Sequence, residues 1–157
     1  MSQLKDVIAY ILQNYPNHMQ HELSNARVTK MVYLADWHQA ITKGRQITNI
    51  QWYFDNYGPY VNDIKQEAEN SPQLFSINNT TNMFGQPKVT LSLSNNSYTP
   101  TLSDDEKDSI DHVIEQTQKM YWDSFIKLVY STYPITSSNR YTHLDLVQRA
   151  QEYLKSK

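Results

Sequence analysis

Residues 28–64 read VTKMVYLADWHQAITKGRQITNIQWYFDNYGPYVNDI. The apolar positions Val28, Met31, Val32, Leu34, Ala35, Trp37 and Ile41 cover more than one stripe of a helix, so this segment predicts a long central helix contacted on two sides. Ser24 before it suits an N-cap, and Gly44 suits the residue just past its end. A short strand is predicted over residues 50–54, where NIQWYF is rich in β-branched and aromatic side chains. The chain has only three glycines, and one of them, Gly58, stands between Tyr57 and Pro59. A proline is well placed at the first position of a helix, where its missing N–H is not needed. The stretch therefore predicts a stiff corner at Gly58 and a third helix over 59–70, with Tyr60, Val61, Ile64 and Ala68 on its apolar face.

Working outward, Leu4, Val7, Ile8, Ile11, Leu12 and Tyr15 repeat with helical spacing and predict a first helix over 3–15, stopped near Pro16. The polar segment NHMQHE then reads as a solvated linker. Beyond the third helix, the alternation of Val89, Leu91 and Leu93 and the turn residues in NNTTN and FGQP predict a β-hairpin over 75–93. Ser103 and Glu106 have capping-box spacing, and the acidic run from Asp104 to Glu106 suits the positive end of the helix dipole. Ile110, Val113, Ile114, Thr117 and Tyr121 continue that fourth helix. A fifth is predicted over 122–131 through Trp122, Phe125, Ile126 and Val129, and a last over 142–155 through Leu144, Val147 and Leu154. The fold class expected is mainly α (α+β), a compact bundle of about six helices with a short strand and a small β-hairpin, in a single domain over 1–157.

Composition narrows the function. Cysteine is absent, which excludes thiolate zinc sites, iron–sulfur clusters, disulfides and cysteine nucleophiles. The net charge is -2, so no broad basic surface for a phosphate backbone is announced. The N-terminal apolar run is broken by Lys5, Asp6, Gln13 and Asn14 and reads neither as a signal peptide nor as a membrane span, so a cytoplasmic location is expected. No phosphate-binding glycine loop, dinucleotide fingerprint, nucleophile elbow or zincin helix occurs. The chain is accordingly read as a non-enzyme without cofactor or metal. His18, His21 and Glu22 lie close together but lack further ligands in sequence, and His38 has no neighbouring nucleophile or orienting acid.

Helices followed by a hairpin also fit a winged-helix regulator of a mobile-element operon. The third helix, however, carries Asp63, Glu67 and Glu69 against Lys65 alone, which is unsuited to a DNA groove. Nucleic acid is not the expected partner. Twelve tyrosines and three tryptophans in a weakly charged chain suit a protein binder, because rigid rings give contact area at small entropic cost.

The order of features over 28–64 resembles the Panacea domain, the SocA-like antitoxin or phage-associated GepA family. The matching positions are Lys30, Tyr33, Ala35, Trp37, His38, Gly44, Trp52, Tyr57, Gly58 and Pro59, and TLSDDE at 101–106 matches the segment that opens the family's second half. The chain departs from the pattern in the loop after the fifth helix, which reads YSTYPITSS where the family has a His and a Pro-Trp pair. The resemblance implies an antitoxin of a prophage or defence-linked locus that binds a cognate toxin. One further role it implies is delivery of that toxin to a protease such as a Clp-type unfoldase. It marks Lys30, Trp37, His38, Trp52, Tyr57, Gly58, Pro59 and Tyr60 as family-motif or partner-binding candidates.

Overall fold

The computed structural model describes residues 3–157, and the architecture is mainly helical with small antiparallel sheets. Helix α1 spans Leu4–Asn14 and buries Val7, Ile8, Ile11 and Leu12. It ends where Pro16 pushes Tyr15 into an extended conformation (ψ 139°). The segment Asn17–Glu22 is a 3-10 helix and not the solvated linker predicted. Met19 in it is buried, and Gln20 Nε2 donates to Leu12 O and Tyr15 O, closing the open end of α1.

Helix α2, Asn25–Lys43, is the centre of the molecule. Ser24 Oγ accepts from Arg27 N–H, and Gly44 takes a left-handed conformation (φ 74°) at the far end, as the sequence predicts. Every residue from Arg27 to Trp37 is buried, so the helix is enclosed on all sides. Helices α1, α3 (Asp63–Asn70), α4 (Asp104–Thr117) and α7 (Leu146–Lys155) pack against it.

Strand β1, Trp52–Asp55, pairs antiparallel on one side with β2, Gly58–Pro59, and on the other with β5, His143–Leu144. Pro59 therefore sits in a strand, and the predicted helical start there is wrong; α3 begins at Asp63. Tyr60 N–H donates to Tyr53 O, which leaves Pro59 opposite Phe54 at the ladder position that needs no N–H. A proline at N1 and a proline at an edge strand satisfy the same local rule, and cross-strand pairing decides between them. Strand β5 likewise falls where the sequence predicts the start of the last helix, because His143 and Leu144 find their partners in Tyr53 and Trp52, far away in the chain.

Strands β3, Phe75–Thr81, and β4, Pro87–Leu93, form the predicted hairpin, with Phe75 and Leu91 buried. Residues 78–81 continue the strand rather than turn, and Asn82 Oδ1 organises the loop by accepting from Phe84 and Gln86 N–H. The hairpin is joined to the helices by Leu91 N–H donating to Leu23 O and by Lys88 Nζ donating to His21 O. Both bonds of the Ser103–Glu106 capping box form at α4. Tyr121, predicted on α4, instead precedes α5 (Trp122–Tyr130) and is exposed, as is Trp122. A single helical turn, α6 (Tyr133–Thr136), forms at Pro134.

Gly58 has φ 100°, a conformation that side-chain-bearing residues resist. A Cβ there would lie 3.3 Å from the Tyr130 ring and 3.7 Å from Lys30 Cε. Gly58→Val is expected to lower stability by about 3 kcal/mol, combining backbone strain with overpacking against an aromatic ring. Urea unfolding measures this, and a midpoint equal to wild type would show that the corner tolerates a side chain.

Candidate partner-binding site

Helix α2 buries three charged side chains, and each fixes a different neighbour. Asp36 is fully buried. Its Oδ1 accepts from Ile47 and Thr48 N–H, both at 3.0 Å, and its Oδ2 from Thr48 Oγ1 at 2.6 Å, Trp52 Nε1 at 2.9 Å and Gln46 Nε2 at 3.4 Å. One carboxylate thus supplies the acceptors for the irregular segment between α2 and β1, which has no ladder of its own. Burial pushes its pKa up to about 6 despite those donors. Trp52 stacks edge-on against Tyr33, whose hydroxyl bonds Thr132 Oγ1 at 2.8 Å.

Arg27 is also fully buried. Its Nη2 donates to Tyr15 Oη at 2.6 Å, Met120 O at 2.7 Å and Thr117 O at 3.1 Å, closing the C-terminal end of α4. The guanidinium lies over the Phe125 ring at 4.5 Å, and Nη1 is 3.6 Å from Glu22 Oε1.

Lys30, the third charge, is 2% exposed and lies under Gly58, with its Nζ 5.8 Å from the Tyr60 ring centroid. Burial lowers its pKa to about 8, opposed by the field of Asp55. Asn25 Nδ2 donates to Tyr60 Oη at 3.1 Å. Lys30, Gly58, Pro59 and Tyr60 are therefore brought together around one corner. Trp52 lies further along α2, between Tyr33 and Asp36.

His38 and Trp37 are not part of that corner. His38 Nδ1 is 2.9 Å from Ser109 Oγ, and Ser109 donates to Gln39 Oε1 at 2.6 Å, so the imidazole gives its Nδ1 proton to the hydroxyl. The ring stacks on His112 at 4.3 Å, and its pKa is lowered by burial, with His112 adding to the effect. Ser109, buried and with its proton committed to Gln39, joins α2 to α4. Trp37 is buried edge-on against Tyr153 of α7. Among the described residues, no group of three or more His, Asp or Glu is placed to hold a metal ion. His21 instead pairs with Glu22 at 3.3 Å.

Among the motif's side chains Lys30, Trp37, His38, Trp52, Tyr57, Pro59 and Tyr60, Tyr57 alone is broadly exposed, at 80% on the β1–β2 turn. Beside that turn lies a feature that the sequence does not announce. Phe54 N–H donates to Thr142 O while Phe54 O accepts from Tyr141 N–H, so two residues face one in a β-bulge. Tyr141 has φ 67°, the position that such bulges usually give to glycine. Its hydroxyl donates to Asn56 Oδ1, and Arg140 Nε donates to Asn56 O at 3.2 Å with its guanidinium 5.4 Å from the Phe54 ring centroid. No local signal marks Tyr141, because the bulge exists only when β5 meets β1. A separate groove of about 790 Å³, lined by polar groups such as Gln13, Asn17 and Ser97 with Tyr98, lies between α1 and the segment leading to α4.

The fold and its buried α2 charges define a mainly helical α+β domain, with Lys30 and residues 57–60 of the motif gathered at one corner. Residues 28–134 match the family described as Antitoxin SocA-like, Panacea domain, and since the match spans more than half of the chain, the protein belongs to that family. No curated protein and no solved structure matches the chain. Among the described residues, no helix is long and apolar enough to cross a membrane.

Proposed function

We propose that this protein neutralises a cognate toxin by binding it directly and carries out no catalysis of its own. The observation that carries this reading is membership of the antitoxin family over 28–134, a segment that contains most of α2, the Tyr57–Tyr60 corner and the β3–β4 hairpin. The polar pairs of the interior support it: His38, Ser109 and Gln39 hold helices together, and the Asp36 carboxylate is saturated by donors. Exposed rings at Tyr57, Tyr121 and Tyr141 supply rigid contact surface. Delivery of the bound toxin to an unfoldase is a further step compatible with such binding.

Co-expression with the adjacent gene tests the proposal. That gene alone is expected to arrest growth and the pair to grow normally. Toxicity that persists in the pair, or an adjacent gene that is harmless alone, would sink the antitoxin reading. Binding to the operon's promoter that weakens steeply with salt would instead favour a regulator.

A further inference from the structure

We propose that Tyr57, Arg140 and Tyr141 form the docking site for an acidic side chain on the toxin; this rests on the antitoxin reading. Three independent observations carry it.

The first is backbone strain. A tyrosine in the left-handed bulge position is disfavoured relative to glycine, yet the Tyr141 ring stays 60% exposed and fills no core. The bulge displays that ring on the same sheet end as Tyr57. The second is order. Asn56 holds both side chains of the neighbouring loop, accepting from Arg140 Nε through its carbonyl and from Tyr141 Oη through its amide oxygen. Little side-chain entropy is left to lose on binding. The third is charge. Arg140 hydrogen-bonds through Nε and lies against the Phe54 ring, and among the described residues neither of its Nη groups has a hydrogen bond or an ion pair. The free edge of the guanidinium is the fork that receives a carboxylate through two parallel bonds.

Nearby Asp55 is turned to other work, with its Oδ1 accepting from Asn56 N–H and its field acting on Lys30. The chain's net charge of -2 disfavours a phosphate backbone, which needs several cations. An Asp or Glu on a partner loop, flanked by the two rings, satisfies both the charge and the aromatic surface. Arg140 and Tyr141 lie outside 28–134, which suits a contact that selects one partner rather than one shared across the family.

Tyr141→Gly separates display from structure, because glycine fits the bulge. The full-length variant is expected to melt at or above the wild-type temperature while binding the purified product of the adjacent gene about tenfold more weakly. Arg140→Glu is expected to lose about tenfold or more, with a weaker salt dependence than wild type. A melting temperature that drops clearly in Tyr141→Gly would make the ring a structural brace and overturn the proposal. Both variants binding and neutralising like wild type would also overturn it while leaving the antitoxin reading intact. A change of oligomeric state in either variant would assign the surface to a second copy of this chain and overturn the assignment to the toxin. Wild-type protein that neither binds nor neutralises would remove the antitoxin reading and this site with it.

Discussion

Asp36→Ala is expected to leave the protein largely unfolded at room temperature. The substitution strips acceptors from Ile47 N–H, Thr48 N–H, Thr48 Oγ1 and Trp52 Nε1, all buried around a carboxylate that water does not reach. Each orphaned donor costs about 1–3 kcal/mol, so the sum over four of about 4–12 kcal/mol competes with the total stability of about 5–15 kcal/mol usual for a domain. Relief from burying the charge offsets part of this, which is why Asp36→Asn discriminates. Its amide can face Thr48 Oγ1, which rotates to accept, but Trp52 Nε1 then has no partner; a loss of about 2–3 kcal/mol is expected. The gap between wild type and Asp36→Asn should also depend on pH. Asp36 has its folded-state pKa raised to about 6 from 3.8, so its contribution is fully present below about pH 4 and is lost as pH rises through 6. The gap is therefore expected to be wider at pH 4 than at pH 7, by up to about 3 kcal/mol. Urea titrations of both variants at the two pH values measure it, and an Ala variant as stable as wild type would refute the carboxylate's role as organiser of the 46–52 segment.

Arg27→Ala is the second large effect, at about 3–5 kcal/mol. Truncation leaves Met120 O without its donor just past α4, removes one of the donors to Thr117 O, which keeps Tyr15 Oη and Met120 N–H, and opens a void against Phe125. Arg27→Met keeps most of the volume and removes the buried charge, so its cost is expected to be smaller, about 1–3 kcal/mol. Lysine should not rescue, since one ammonium cannot lie flat over Phe125 while reaching both carbonyls. Equilibrium unfolding ranks the three; an alanine variant within about 1 kcal/mol of wild type, close to an ordinary surface substitution, would count against this account.

Both residues stand on a helix that the sequence marks as central and contacted on two sides. The structure encloses it on every side, which leaves Arg27, Lys30 and Asp36 without a wet face. His38 and the aromatic motif are more conspicuous in the sequence, yet of these residues only Tyr57 is broadly exposed. Trp37, Trp52 and Tyr33 fill the interior, where their rings are needed to pack a long helix on every side. The corner at Gly58 was legible as a corner, and its positive φ and the nearby Tyr130 ring supply the reason for glycine. The element beyond the corner was not legible: Pro59 enters a strand because Tyr60 finds an acceptor on Tyr53.

Features set by neighbours a few residues apart were determined by the sequence itself. Ser24 and Gly44 bound α2, Ser103 and Glu106 start α4, and alternation over β4 forms a hairpin, because caps, dipoles and side-chain periodicity act within one turn of chain. The family likewise follows from the order of residues over 28–134. Only the tertiary structure decided which charges are buried, where β5 pairs, and that Tyr141 occupies a bulge opposite Phe54 of β1, the strand that leads into the Tyr57 turn. Those outcomes depend on strands and helices far apart in the chain competing for the same donors, acceptors and volume, and no local rule carries that information.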